Sequence, residues 1–314
     1  MNISKNILIA CIGALMFAAP NSAKAQYADF SDYEIYSTVQ TNPYLVKQRE
    51  VTFDNGLFKR SPRTGMNCDG QGGLFVAETA EKLRKNQFIL SSRYRYHKLT
   101  STKGQAFYNT EDGNASSLDT SVTYIGDWAD WSVNIPVQSW ELSAPRTMGG
   151  YSDSDNGLGN MSFGFKYTGL EDHSYYRFAL GAVVNVNTGD SERMKPSSFN
   201  YGHQSKIFGC VTTKETDKAT GNLELGAIFK KEGEDWFFYN FGLTYEITKQ
   251  ASFIGEVVGE VAGGDDKDNL DLVVGIRLAP TETFGVEFAY YRNLRTYREY
   301  GWDHQFQVGG ILQW

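Results

Sequence analysis

Residues 236–248 read WFFYNFGLTYEIT, and their alternation decides the fold. Phe237, Tyr239, Phe241, Leu243, Tyr245 and Ile247 fall on one side of an extended chain, and Asn240, Gly242, Thr244 and Glu246 on the other. A period of two is the mark of a strand with one apolar face. The rule continues in both directions. Downstream, Phe253, Val257 and Val261 oppose Glu256 and Glu260; Leu270, Leu272, Val274, Ile276 and Leu278 oppose Asp271 and Arg277; Phe284, Val286, Phe288 and Tyr290 oppose Glu287. Upstream, Leu223, Leu225, Ala227 and Phe229 oppose Glu224 and Lys230, and Phe178, Leu180, Ala182, Val184 and Val186 oppose Arg177 and Asn185. Farther back, Met161, Phe163, Phe165 and Tyr167 oppose Ser162 and Lys166, while Phe88, Leu90, Tyr94 and Tyr96 oppose Arg93, Arg95 and His97.

With weaker segments at 117–126, 131–141 and 204–213, and a last one through Trp314, the pattern predicts twelve strands. A soluble β-sandwich also alternates. Three features favour a membrane barrel. The segments run about ten residues, the length of a tilted transmembrane strand rather than the five or six usual in soluble sheets. Short links (127–130, 169–174, 249–250, 279–283) alternate with long ones (98–116, 142–158, 188–203, 293–302), as periplasmic turns alternate with external loops. Aromatics stand near strand ends on the apolar faces (Tyr96, Tyr124, Tyr167, Tyr245, Tyr290, Trp314), where interfacial girdles form. The expected fold is all-β, a transmembrane antiparallel β-barrel of about 12 strands. Its last strand alternates Phe306, Val308, Leu312 and Trp314 outward, a pattern that resembles the insertion signal read by the outer-membrane assembly machinery.

Composition agrees. The 314 residues are 41% hydrophobic and 14% aromatic, yet mean hydropathy is −0.42. Beyond the first 25 residues no apolar run approaches the roughly 18 needed for a membrane helix. A barrel permits the polar average, because only alternate residues meet lipid. Lys5, the apolar stretch 7–19 and Ala23-Lys24-Ala25 form a secretory signal with an A-x-A cleavage site. Leu8-Ile9-Ala10-Cys11 resembles a lipoprotein box but leaves too short an apolar stretch before it. The expected organisation is a cleaved signal peptide at 1–25, an N-terminal periplasmic extension at 26–85 reaching partly into the lumen, with a short helix near 77–84, and an outer-membrane barrel at 86–314. Losing Lys5 and Lys24 leaves 28 basic against 37 acidic residues, a charge of −9, which excludes nucleic acid as a partner. Cys68 and Cys210 remain in the exported chain, and export permits but does not require a disulfide between them.

Several stretches resemble one family, the outer-membrane transporters grouped as porins of the meta-pathway of phenol degradation. Asn156-Gly157-Leu158-Gly159-Asn160 leading into Phe163-Gly164-Phe165-Lys166-Tyr167 is similar to that family's G-L-G-D followed by a strand ending in K-Y. Val183 to Asp190, ending Asn187-Thr188-Gly189-Asp190, is similar to its P-T-G-D strand end. Ala77-Glu78-Thr79 through Gln87-Phe88, and Glu256 with the strands that lead to Trp314, fit as well. Asn160 replaces the family's Asp and Asn187 its Pro. The likeness runs from about 77 to 314 and implies uptake of small organic or aromatic compounds.

The inward faces carry Arg93, Arg95, Lys166, Arg177, Lys230, Glu246, Glu256, Glu260, Asp271, Arg277 and Glu287. Mixed charges inside a narrow barrel tend to pair, which gives a structural network propping the wall. Read instead as a constriction, they set a basic side on strands one, four and five against an acidic side on strands eight to eleven, a transverse field that would orient dipolar solutes. His97, His173, His203 and His304 have no ligand spacing, so neither a metal site nor a cofactor is expected. Asp153-Ser154-Asp155 and Asp265-Asp266-Lys267-Asp268 read as solvated loop charge, and Tyr290, Tyr291, Tyr297, Tyr300 and Trp302 as a rim cluster. No Ser-His pair is legible, so an enzyme is not expected. The sequence thus points to an outer-membrane channel, surrounded by lipid, that passes small solutes by passive diffusion. The alternative is a structural or adhesive surface barrel whose lumen is blocked by its own side chains and the extension.

Overall fold

The computed structural model describes residues 65–81, 83, 85–101, 112–143, 152–168, 170, 175–186, 188–189, 204–213, 218–230, 235–262, 268–281, 283–295 and 300–314. The signal segment, His173, His203, Asn187, Tyr297, Asp265, Asp266 and Lys267 fall outside them. Two short strands, β1 (Gly65–Met66) and β2 (Gly72–Gly73), pair with each other. The wall follows: β3 (Gln87–Ser101), β4 (Asp112–Ile125), β5 (Ala129–Ser143), β6 (Ser152–Leu158), β7 (Met161–Tyr167), β8 (Tyr176–Val186), β9 (Gln204–Thr213), β10 (Ala219–Lys230), β11 (Trp236–Thr248), β12 (Ala251–Ala262), β13 (Asp268–Leu278), β14 (Phe284–Arg295) and β15 (Tyr300–Gln313).

Wall strands pair antiparallel with their sequence neighbours, except that β6 and β7 both pair with β5 and β7 goes on to β8, and β15 returns to pair with β3 from Tyr300↔Ser101 to Gln313↔Ile89. β6 and β7 are two halves of one strand along β5, interrupted at Gly159-Asn160. The sheet is therefore a closed antiparallel barrel of twelve strands. Closure is what a bilayer demands, because an open edge would leave amides and carbonyls unpaired in hydrocarbon.

The register of every strong segment follows the apolar alternation. Phe237, Phe241, Tyr245 and Ile247 are exposed on the outside of β11, whereas Phe238, Asn240 and Thr244 are buried inside. On β15, Phe306, Val308, Leu312 and Trp314 all face out. The segment at 204–213, the weakest in the sequence, is a full strand paired on both sides.

Two expectations are corrected. The stretch 142–158 is not one long loop, because β6 extends the wall through Asp153, Ser154 and Asp155 against Ser143–Val137. Wall strands of up to 15 residues outrun the roughly 9–11 needed for hydrocarbon, so polar outward residues at strand ends stand in water at no cost. Asp268 likewise opens β13, paired to Arg295 at 2.7 Å. The second correction is that 77–81 are not helical: Ala77 is a bend, Glu78 makes a bridge to Gly73 and 79–81 are irregular.

Candidate functional site

Residues 66–80 fill the lumen. The segment is organised by Asn67, whose Oδ1 accepts from the amides of Asp69 (3.1 Å) and Gln71 (2.9 Å), a local turn Asn favours. Its Nδ2 donates to Glu78 Oε1 (2.6 Å) and to the carbonyl of Val76 (3.1 Å), tying the two ends together. Gly70 takes φ +77°, which a side chain would strain. Leu74, Phe75, Val76 and Ala77 pack against Ile254, Val258, Val273, Ala289 and Tyr291 of the wall, with Ala115 and Trp140 in the same cluster. Met66 and Leu83 join Ile89, Ile125 and Ile311 near the short-turn end.

The wall clamps the plug through its backbone. Glu256 accepts from three successive amides, Phe75 (2.6 Å), Val76 (3.2 Å) and Ala77 (2.9 Å), so one wall carboxylate gathers the N–H groups of the plug's turn. Glu224 accepts from Glu78 N (3.1 Å), Asn222 donates to the Glu78 carbonyl (2.7 Å), and Thr212 accepts from Ala80 N (2.8 Å). On the carbonyl side, Arg93 donates to Met66 and Asn67, Arg277 to Leu74 (3.2 Å) and Gly73 (3.4 Å), and Lys166 Nζ to Gly72 (2.8 Å) and Thr79 (3.2 Å). The hydroxyl of Thr123 donates to the Gly70 carbonyl.

The clamping cations are neutralised locally. Glu287 accepts from Arg93 and from Arg277 (3.2 Å); Lys166 lies 3.4 Å from Asp130; Arg95 lies 2.6 Å from Asp119. Lys206 Nζ sits among Glu224 (2.9 Å), Asp69 (3.4 Å) and Glu78 (3.6 Å), over the rings of Phe238 and Phe208 at 4.9 and 5.0 Å. Burial pushes the Glu78 carboxyl up to about 8, against the opposing pull of Lys206. Burial likewise raises the Cys68 thiol, and Cys68 and Cys210 are both free thiols rather than a disulfide.

Of the residues named from the sequence, Arg93, Lys166, Glu256, Arg277 and Glu287 converge on the plug. Arg95, Glu260 and Asp271 face inward beside it, with Asn269 on Glu260 (2.9 Å) and Asn293 on Asp271 (2.6 Å). Arg177 and Glu246 lie inward toward the short-turn end. Lys230 ends β10, and its side chain lies outside the described residues. The expected separation into a basic and an acidic side is corrected: Arg277 stands beside Glu287 on the next strand and Lys166 beside Asp130, because adjacent opposite charges cost far less in a narrow lumen than segregated ones. The rim cluster is split as well. Tyr291 is buried inside with its hydroxyl on Gln307 (2.7 Å), Tyr290 faces out against His304 and Phe306, and the side chains of Tyr300 and Trp302 are outside the described set.

Sequence reading missed Lys206 and Asp119, which lie on the weak segments where no register could be drawn, and Asp130, which falls in the expected link 127–130 but lies in β5. It also missed Asn67 and Glu78, which lie in the aperiodic extension. The two family-like stretches prove to be one junction: Thr188 Oγ1 donates to Gly159 O (3.1 Å) and accepts from Met161 N (2.9 Å), while Asn160 Oδ1 accepts from Gly189 N (3.3 Å). Asn160 accepts that bond as an Asp would, so this departure preserves the local chemistry.

No functionally curated protein matches the chain. Among solved structures it is similar to the COG4313 outer membrane channel from Pseudomonas putida F1, with a TM-score of 0.59 and 12% identity over 75% of this chain and 98% of that one. Weaker likenesses are to the NanC porin, with a TM-score of 0.48 and 9% identity over 72% of this chain and 98% of that one, and to the Ralstonia pickettii toluene transporter TbuX, with a TM-score of 0.39 and 9% identity over 74% and 89%. At such identities the likeness speaks for the fold, a multi-pass barrel of the bacterial outer membrane. The family model described as "Putative MetA-pathway of phenol degradation" matches residues 90–302, about two thirds of the chain, and the protein belongs to that family.

Proposed function

We propose that the protein is a gated outer-membrane channel that lets small organic solutes across passively, with residues 66–80 as the gate. The observation that carries this reading is the kind of contact that holds the plug. It is seated by hydrogen bonds from wall side chains to its backbone and by a modest apolar patch, contacts that break and re-form without covalent change. The wall needs no plug for its own closure, since all twelve strands pair around the ring. Contacts that re-form without covalent change need no energy input, so flow follows the solute gradient. Arg93, Lys166, Glu256 and Arg277, with Glu287 behind the two guanidiniums, then serve as latch points of the gate, with Arg95, Glu260 and Asp271 left to line the opened path.

The same plug is the support for the other reading, a structural or adhesive surface barrel with a blocked lumen. Planar-bilayer conductance and liposome swelling separate the two. The full chain should give low, intermittent conductance, and a chain deleted for residues 66–80 a steady and larger one. A deleted barrel that inserts, resists heat like the parent and passes neither ions nor solutes would overturn transport and leave the structural reading standing.

A further inference from the structure

The outward surface of the barrel changes character where the ring closes. Lys98 of β3, His304 of β15 and Arg292 of β14 are partners in register, His304 opposite Lys98 and Arg292 opposite His304. All three stand on the lipid-facing side, Lys98 and Arg292 exposed and His304 half-buried. Neighbouring strands lie about 4.8 Å apart, so the row spans roughly 10 Å. Leu272 of β13 follows Arg292 in the row, and the outward residues at this end of β11 and β12 are Phe237 and Val261, all exposed. In a chain of net charge −7, a basic row beside an apolar wall is a local exception.

Its height follows from the strand. This end of β3 and β15 shares its side of the barrel with the long connections from β3 to β4, β5 to β6 and β8 to β9, so it is the outer end. The outward residues of β15 run from Trp314 through Val308 and Phe306 to His304. Ten residues make about 33 Å along a strand and, at a tilt of about 40°, about 25 Å along the membrane normal. That is the height of the apolar band, so His304 stands at its outer edge, where lipid headgroups begin. Directly below lie the aromatics of the girdle, with Phe306 opposite Tyr96 and the rings of Tyr290 and Phe306 5.3 Å apart.

The local geometry suits an anion. Arg292 Nη1 lies 3.0 Å from His304 Nδ1. A guanidinium only donates, so Nδ1 accepts and Nε2 carries a proton to offer elsewhere. Stacking on Tyr290, centroids 6.4 Å apart, holds the imidazole in place. Lys98 Nζ has three donor hydrogens, enough to serve an anion beside a protein contact. Glu141, the acid in this row, stands two strands from Lys98, beyond Asn114.

We propose that Lys98, His304 and Arg292 hold a phosphate of an acylated, phosphorylated glycolipid of the outer leaflet, whose acyl chains lie over Tyr96, Phe306 and Val308. The guanidinium fork and the ammonium match phosphate, and the apolar face below matches the chains. Free phosphate has the charge without the chains, and a zwitterionic phospholipid has the chains but carries its own cation. The site lies outside the wall and does not rest on what the lumen passes.

The test is native mass spectrometry of the full chain in detergent, supplied with diphosphoryl lipid A, phosphatidylcholine or inorganic phosphate. The parent should retain lipid A, should hold phosphatidylcholine roughly tenfold more weakly, and should not release lipid A to inorganic phosphate. Lys98→Gln with Arg292→Gln should weaken lipid A retention roughly tenfold or more in a barrel of parental heat resistance, and His304→Gln should weaken it further. Lys249→Gln, at the opposite rim, should leave it unchanged. The comparison of lipids on the parent decides even where a variant does not insert. Retention of lipid A by the triple variant at the parental level, equal retention of phosphatidylcholine by the parent, or displacement by inorganic phosphate would overturn the proposal. So would a dimer that the substitutions dissolve, because it would assign the row to a second copy of the chain.

Discussion

At the residue scale the lumen is governed by a few buried charges, each useful because of what stands one strand away. Glu287 is the hinge of this arrangement, since it is the partner of both Arg93 and Arg277, the two guanidiniums that hold plug carbonyls. Removing one member of a buried pair leaves an uncompensated charge, at a typical cost of about 3–5 kcal/mol. Glu287→Ala should therefore unfold at markedly lower temperature and expose the plug to protease, whereas Glu246→Ala, nearer the short-turn end, should do neither; heat-modifiability on gels and limited proteolysis read both. Glu78 makes a different prediction. Its folded value of about 8 lies above the ordinary carboxylate value, so the seated plug binds a proton that the released plug gives up. Seating is therefore favoured fully below about pH 4.5 and is progressively lost as pH rises through 8. Lys206, Lys166, Glu224 and Asp69 all face this group, so the test is a comparison: conductance should rise between pH 5 and 9 in the parent and lose most of that slope in Glu78→Gln. An unchanged slope in the variant would assign the pH response to another group.

At the element scale, the plug fits because the wall thins where the plug is bulky. A Cβ at Gly242 of β11 would lie 2.1 Å from Leu74 Cδ1, so this glycine is a seat for a side chain on another element. Gly242→Leu should leave the strand intact, since its Cβ meets Glu256 only at 3.6 Å, and push Leu74 out of its place. Larger conductance with unchanged barrel heat resistance is the expected result; a closed barrel would mean that the polar clamps alone suffice. The broken strand of β6 and β7 shows the limit of reading elements from motifs. The two family-like stretches lie apart in the sequence, yet Thr188 bonds Gly159 and Met161 and Gly189 bonds Asn160, so together they cap the break. Asn160→Ala should loosen the Gly189 contact and cost roughly 1 kcal/mol, visible as a few degrees in thermal unfolding.

For the whole molecule, the decisive relation is between a closed wall and a segment folded inside it. The strands pair around the ring, so closure of the wall does not depend on the plug. The plug, in contrast, has of its own only the β1–β2 pairs, the Gly73–Glu78 bridge and a few backbone turns, and wall side chains satisfy the amides of 75–78 and 80 and several of its carbonyls. It cannot keep this conformation once released. The deletion of 66–80 is therefore expected to leave a stable barrel, while the excised segment alone should be unstructured by circular dichroism.

The sequence by itself determined the barrel. Lipid on one side and lumen on the other impose a period of two on every strand, a strand length set by hydrocarbon thickness, and unequal connections, and all three are local signals that 236–248 and its neighbours carry in full. It also placed Arg93, Lys166, Glu256, Arg277 and Glu287 on the inward side, because on strongly periodic strands sidedness follows directly from the period. Only the tertiary structure decided what those charges do. Whether Arg93 lines a pore or grips a carbonyl of Asn67 depends on where an aperiodic segment lies, and a segment without a period carries no register. Its conformation is fixed by partners some 130 to 200 residues away in the chain, Thr212, Glu256 and Arg277, brought together by closure of the ring.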